Sequence, residues 1–416
     1  MTTASDRPLD LVLWGATGFT GALVAEYLLR QYGARASLRW ALGGRSARKL
    51  EQLRDRLARI EPAAIELPLV VGNGADRASL DAFVRTTRVV CSTVGPFSLH
   101  GREIVAACVD AGTDYCDSTG EPQFVRAMID AHHDRARASG ARIVHCCGFD
   151  SIPSDLGTLM VQEAARAAHG SRCTHVRHYV SLRGGAISGG TAASMVALMD
   201  EAARDPGVRR IMADPYALDP GHRGPGSRGL DLDRVRFDRD LQRWTGPFVM
   251  AGINARIVRR SNAVLGYAWG RDFRYREGMS FSGGAGGLLR AAGMAGGIAA
   301  VFGAMAVPQV RRLVERRLLP APGQGPSPER RAQSSFESRF VGVPEGAGSA
   351  RVRGTVRGVG DPGYEETAKM LGESSVCLAH DRDLTRAEGG VLTPASCMGM
   401  TLVARLRRRG MTFDVA

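Results

Sequence analysis

Over its first 155 positions the chain alternates short apolar runs with segments of helical spacing. Leu9–Trp14 is the first run, too short for a helix and followed at once by glycine. From 20 to 32, Leu23 with Tyr27 and Val24 with Leu28 fall on one helix face, and Gly33 supplies a stop. The alternation then repeats. Residues 38–42 read as a second strand and "SARKLEQLRDRL" as a charged helix. "ELPLVVG", "RVVCSTVGPF", "TDYCDSTGE" and "ARIVHCC" supply the third to sixth strands. "GREIVAACVDAG" and "QFVRAMIDAHHDRARASG" supply helices between them, the second carrying His132 and His133 on a face that reads as solvated. Apolar strands separated by helices predict an α/β fold with a doubly wound parallel sheet.

Beyond Gly157 the pattern becomes mixed. "THVRHYVSL" is strand-like, a helix is expected from about Thr191, and residues 204–240 read as one long irregular loop. "FVMAGINARIVRRSN" and "FRYREGMSF" read as strands, and "ESRFVGV" with "ARVRGTVRG" as a hairpin. Helices are expected in "YEETAKMLGESSVCLA" and "CMGMTLVARLRRRG". The expected organisation is a nucleotide-binding domain over 1–155, an α+β substrate or dimerisation domain over 156–380, and a segment 381–416 that packs back on the first domain. Within the second domain, 291–310 has no charge for twenty residues and is followed by Arg311, Arg312, Arg316 and Arg317. Three readings stand: a buried or dimer-forming helix, a segment lying on an anionic membrane, and a membrane span. Gly293, Gly296, Gly297 and Gly303 weaken the last.

The 416 residues are 44% hydrophobic and 23% charged, as in a globular protein. The net charge of +13 favours phosphate-bearing cofactors, acidic proteins and anionic surfaces. No zinc-finger, RNP or basic-zipper pattern accompanies it, so nucleic acid is not an expected partner. The eight cysteines show no CxxC spacing and read as buried free thiols in a reducing compartment. No grouping has metal-ligand spacing. Residues 1–10 lack the basic-then-apolar pattern of a secretory leader. The expected location is cytoplasmic, peripheral on the inner face of the plasma membrane.

The chemistry lies in the first turn. In Gly15-Ala16-Thr17-Gly18-Phe19-Thr20-Gly21 the glycines stand between a strand and a helix. That arrangement seats a pyrophosphate on the helix N-terminus: one glycine for the turn, one for close approach, one for helix–strand packing. No Lys-Ser/Thr follows Gly21, which disfavours a nucleoside-triphosphate P-loop. At the end of the second strand an acid would meet the ribose 2′-hydroxyl of NAD and a base the 2′-phosphate of NADP. Arg45 stands there, followed by Ser46, so NADP(H) is expected. Thr93, Val94, Gly95 and Pro96, ending the fourth strand, are expected near the nicotinamide half.

"GATGFTG", "GGRS", "VGPF", "GTDYCDSTGE", "GFDSIPSDLG", "RSN", "DPGYEETA" and "GGVLTPA", in this order, resemble the saccharopine dehydrogenase-like oxidoreductases, in particular the mycobacterial trans-acting enoyl reductase branch. The resemblance covers nearly the whole chain. It implies a Rossmann-type first domain and an NADP(H)-linked reductase. In that branch the enzyme assists polyketide synthases that lack an enoyl reductase of their own, on lipid-like acyl chains. The Tyr-x-x-x-Lys pair of short-chain reductases is absent. Tyr115, Asp117 and Asp150 are the candidate catalytic residues. Glu121 and Asp155 also lie near strand ends, and the aspartates serve equally well as loop-holding or capping groups. An amino-acid or imine dehydrogenase, and a non-catalytic NADP-binding adaptor at a membrane, are the alternative functions. A homodimer is the expected assembly.

Overall fold

Each apolar run of the first 150 residues becomes a strand of one sheet, because each is followed by a helix that carries the chain back to the starting edge. The computed structural model describes residues 7–35, 37–184, 189–219, 221, 234–306, 310, 327–346, 350–385 and 388–416. The order is β1 (Leu9–Trp14), α1 (Phe19–Tyr32), β2 (Trp40–Gly44), α2 (Ala47–Ala58), β3 (Leu69–Val71), α3 (Arg77–Val84), β4 (Thr87–Ser92), α4 (Phe97–His100), α5 (Arg102–Ala111), β5 (Asp114–Asp117), α6 (Pro122–Ser139) and β6 (Arg142–Val144). There follow α7 (Ile152–His169), β7 (Cys173–Arg183), α8 (Gly189–Arg204), α9 (Pro206–Ala213), β8 (Arg236–Asp238), β9 (Arg243–Gly246), α10 (Ala251–Val264), β10 (Arg274–Ser280) and α11 (Ala285–Ala306). The chain ends with β11 (Ser335–Pro344), β12 (Val352–Val359), α12 (Thr367–His380), β13 (Gly390–Leu392), α13 (Gly399–Arg408) and β14 (Thr412–Val415).

The fold is α/β, in two compact units. The first holds residues up to 149 together with 363–409. Its seven strands run parallel in the order β13-β6-β5-β4-β1-β2-β3. The chain winds outward from β1 through β2 to β3, then restarts at β4 on the other side, so the direction of winding reverses between β1 and β4. In such sheets ligands bind outside the carboxyl ends of the strands at that reversal. Leu11, Val12, Leu13, Val89, Val90 and Ile143 are fully buried along its middle. α12 packs on α1, β1, β4 and β5, and so belongs to this unit although the sequence pattern groups it with the second domain. Its anchor is Glu373, which accepts hydrogen bonds from Tyr27 (2.7 Å) and Tyr32 (2.7 Å) of α1 and ion-pairs with Arg405 and Arg409.

The second unit, 150–362 with 410–416, is built on a mixed sheet in the order β14-β12-β11-β7-β10-β9-β8, in which only β7 and β10 run parallel. α7 packs on β7, β11 and β12, and α10 on β10.

Four local readings are corrected. "AGINARIVRRSNAV" is α10, not a strand: Arg256 and Arg259 are buried and donate to the carbonyls of Asp214, Met212 and Pro215, at 3.0, 2.6 and 2.9 Å, so buried polar side chains break the apolar period. Residues 206–213 form a helix inside the expected loop. β13 and β14 are strands too short for their pattern to register. His132 is buried, and His133 accepts a hydrogen bond from the Val391 N–H at 3.2 Å, so that face is not solvated. The eight cysteines are buried and free.

The uncharged segment forms α11, but not as a core helix. Only 11% of its apolar window is buried, and Leu289 and Val301 are 73% and 51% exposed. Ala291 and Met305 are its buried contacts. Residues 307–309 and the four arginines that follow lie outside the described residues.

Candidate nucleotide and catalytic site

The three glycines of the first turn are present for three different reasons. Gly15 has φ of +87°, and a Cβ there would stand 2.6 Å from Val94 Cγ2. Gly21 lies in α1, where a Cβ would run into the Gly15 carbonyl and approach Thr93 Oγ1 to 2.8 Å. Gly18 is the least constrained of the three. Its φ and ψ of −73° and 167° suit any residue, it is exposed, and a Cβ would meet only the Gly15 carbonyl, at 3.3 Å. A side chain at 18 would need only a small shift of that carbonyl, far less than at 15 or 21.

The turn is tied to the end of β4. Thr93 Oγ1 donates toward the Gly15 carbonyl at 3.1 Å, and the Thr93 N–H donates to Trp14 O at 2.9 Å. Gly15, Gly18, Gly21, Thr93 and Val94 thus come together at the reversal between β1 and β4. Thr17, Gly18 and Gly95 are exposed there, and Phe19, Thr20 and Pro96 half-buried. The Phe19 ring meets Tyr364 edge-on at 4.8 Å. Gly18 also serves as N-cap residue of α1, without a side chain to satisfy the free N–H groups. A helix N-terminus left open in this way accepts an anion.

Arg45 projects at the end of β2, exposed and with no hydrogen-bond or ion-pair partner among the described residues. Ser46 caps α2 by accepting from the Lys49 N–H at 3.4 Å. A buried cradle edge, a bare Gly18 and an unpaired guanidinium are what a pyrophosphate and a 2′-phosphate would need.

Glu121, at the loop after β5, is 1% exposed and accepts the N–H groups of Phe97 and Ser98, each at 2.8 Å. It thereby fixes the segment Gly95-Pro96-Phe97 at the mouth of the site. Its spacing from that segment gives no sign of this in the sequence, since the pair is 24 residues apart.

The catalytic candidates fall in different surroundings. Tyr115 is fully buried in β5, and burial, with Asp117 nearby, raises its hydroxyl pKa well above the ordinary range. Asp117 is fully buried too. It accepts the Thr119 N–H at 3.1 Å, the Cys146 N–H at 3.3 Å, and faces His145 Nδ1 at 2.7 Å. The His145 pairing escaped the sequence reading because an apolar run hides a histidine well. Asp150 lies in the second unit, half-buried, and desolvation pushes its carboxyl up to about 6. Asp155 accepts from Ser261 Oγ at 2.5 Å, a structural tie between α7 and α10. Among the described residues no cluster of His, Cys, Asp and Glu has a metal-binding arrangement.

Residues 11–144 match the Saccharopine dehydrogenase NADP binding domain. A Mycobacterium tuberculosis protein provisionally named a trans-acting enoyl reductase is 41% identical over 423 residues, 99% of this chain and 98% of its own. The trans-acting enoyl reductase of the same species is 39% identical over 419 residues, 98% of this chain and 97% of that protein. Among solved structures, the fold is similar to that of the apo saccharopine dehydrogenase (L-Glu forming) of Saccharomyces cerevisiae, with a TM-score of 0.54 at 11% identity, covering 98% of this chain and 100% of that one.

Proposed function

The chain belongs to the trans-acting enoyl reductase family, and on that premise we propose that it reduces the C=C bond of a 2-enoyl thioester borne by a polyketide synthase carrier. NADP(H) is its cofactor, as its matched NADP binding domain requires. The observation that carries the cofactor site is Gly18, an exposed glycine whose backbone conformation suits any residue and whose Cβ would meet only the Gly15 carbonyl. Gly15, Thr17, Gly18, Phe19, Thr20 and Gly21 would take the pyrophosphate. Arg45, with Ser46, would take the 2′-phosphate in charge-assisted hydrogen bonds. Thr93, Val94, Gly95 and Pro96 would border the nicotinamide.

When bound, NADPH supplies a hydride to the β-carbon of the enoyl group. The chain must then deliver a proton to the α-carbon, giving the saturated thioester. Of the three candidate acids, Asp150 suits that task. Its carboxyl is half-buried and holds its proton up to about pH 6. Tyr115 is buried beside Asp117, and Asp117 is occupied by two N–H donors and His145. These two would position the loops rather than donate. Glu121 would act likewise, holding the Gly95–Phe97 segment so that the ring has one place to lie.

The acyl chain is lipid-like in this reading, and α11 supports it. An exposed apolar helix of 22 residues, about 33 Å long, in a chain of net charge +13, suits the surface of an anionic membrane on the cytoplasmic side. A second copy of the chain is the other occupant of that helix.

The test incubates the protein with NADPH and a 2-enoyl chain, attached either to N-acetylcysteamine or to a carrier domain. The expected result is loss of NADPH absorbance with a saturated product of the same chain length. Turnover of 2-oxo acids with ammonia, and not of enoyl thioesters, would instead make it an amino-acid dehydrogenase. No turnover of either would leave an NADP-binding adaptor.

A further inference from the structure

The two faces of the second unit's sheet differ in kind. Val176, His178, Tyr275, Glu277 and Phe340 turn toward α7 and α10 and are buried. Glu277 accepts from Asn254 of α10 at 2.8 Å and from Ser154 of α7 at 3.3 Å, which fixes which face the helices cover. The alternate positions of the same strands turn the other way, and arginine recurs among them. Arg274 stands beside His175 and Arg276 beside Arg177 across the β10–β7 pair. Arg339 faces Tyr179, and Arg353 and Arg357 follow on β12. Arg274, Arg276, Arg353 and Arg357 are exposed.

Acidic side chains hold part of this array in place. Arg177 pairs with Asp238 at 2.6 Å and with Asp240. Arg339 and Arg357 share Glu337, at 2.5 and 2.7 Å. Tyr179 donates to Asp238 at 2.7 Å and accepts from Arg236 at 3.1 Å. His175 reports the resulting field: burial first, and then Arg177, Arg274, Arg236 and Arg351, lower its pKa to about 4.

We infer that the arginine face of this sheet docks an acidic protein domain, the carrier that brings the enoyl chain. The inference rests on the proposed carrier-bound substrate. Arg274 and Arg276 on β10 and Arg353 and Arg357 on β12 lie three strand steps apart, about 14 Å at ~4.8 Å per step, and flank a middle in which Tyr179 and Val341 are buried. Arginine is enriched at such interfaces, and fixed guanidiniums select planar carboxylates. A second copy of the same face would set arginine against arginine. A bilayer needs an apolar wedge, and Val359 is the one exposed large apolar side chain beside these arginines among the described residues, whereas α11 carries Leu288, Leu289, Met294 and Val301.

The experiment uses the full chain and the variant Arg274→Glu/Arg276→Glu/Arg353→Glu, whose three exposed positions leave the fold intact by circular dichroism. Binding to a holo-carrier domain is titrated at several salt concentrations. kcat/KM is measured with the enoyl chain on that carrier and on N-acetylcysteamine. The expected result is roughly tenfold weaker carrier binding, a shallower salt dependence, and a matching fall in the ratio of carrier-bound to carrier-free kcat/KM. Equal carrier affinity in both proteins would overturn the inference. So would a variant that loses binding to anionic vesicles or duplex DNA while keeping the carrier. If neither thioester is reduced, the enzymatic reading fails, and the binding titration still decides the docking face.

Discussion

Arg45 has no partner among the described residues, so its replacement should touch the cofactor alone. Arg45→Ala is expected to weaken NADPH by about tenfold or more, the loss of roughly 1.5–3 kcal/mol of charge-assisted hydrogen bonding, and to leave NADH unchanged. Fluorescence titration of both cofactors checks this, and equal losses for the two would refute the 2′-phosphate assignment. Gly18→Val should remain folded, because the backbone at 18 already suits a branched residue, yet lose dinucleotide binding by roughly a hundredfold or more through the obstructed approach. An unchanged NADPH affinity in the folded variant would mean that nothing passes over the turn. Asp150 sets a pH limb. Its reactive form as a donor is the protonated one, and burial raises its pKa to about 6. kcat/KM should therefore fall as the pH rises through about 6. Asp150→Asn should remove that limb and about a hundredfold of the rate. Persistence of the limb in the variant would assign it to another group. The strand–turn–helix of the first glycines and the place of Arg45 at the end of β2 were legible in the sequence because both are local. The Glu121 clamp and the Asp117–His145 pair were not, because they join loops 24 and 28 residues apart.

At the scale of elements, strands and helices were readable wherever apolar residues alone marked the buried face. β1, β4 and α1 are of that kind. α10 is not, because its arginines are buried and satisfy carbonyls at the end of α9 and in the turn after it. β13 has only three residues, and pairing with β6 rather than a pattern of its own makes it a strand. α12 shows how a helix far along the chain comes to serve the first sheet. Glu373, itself fully buried, gathers two tyrosines of α1, Arg405 of α13 and Arg409 just after it. Glu373→Ala removes the shared acceptor and leaves Arg405 without that partner in a largely buried place. A loss on the order of 3–5 kcal/mol is expected, with Glu373→Gln milder because it still accepts from a tyrosine. A thermal melt of each variant decides it. A melting temperature within about 2 °C of wild type for Glu373→Ala would mean that α12 is held by apolar packing alone.

At the scale of the whole molecule, the sequence left the uncharged segment open between a buried or dimer-forming helix, a membrane-surface helix and a span, and the exposure of α11 gives that choice a sharper form. Along α11, Gly287, Ala291 and Met305 face inward, while Leu288, Leu289, Met294 and Val301 face solvent. Burying those four side chains in a bilayer interface would contribute about 1.5–3 kcal/mol each at most. The basic net charge adds attraction to anionic headgroups that salt screens. Leu289→Asp/Val301→Asp changes only exposed positions, so the folded state should persist, unlike a deletion of the helix. Wild type is expected to float with vesicles containing anionic lipid, to float less with neutral ones, and to be partly released by high salt. The double variant should stay with the soluble fraction in every mixture. Sedimentation of the same two proteins without lipid separates the competing occupant. A wild-type dimer that the aspartates dissociate, with no flotation of either protein, would make α11 a contact between two copies of this chain and would withdraw the membrane from its function.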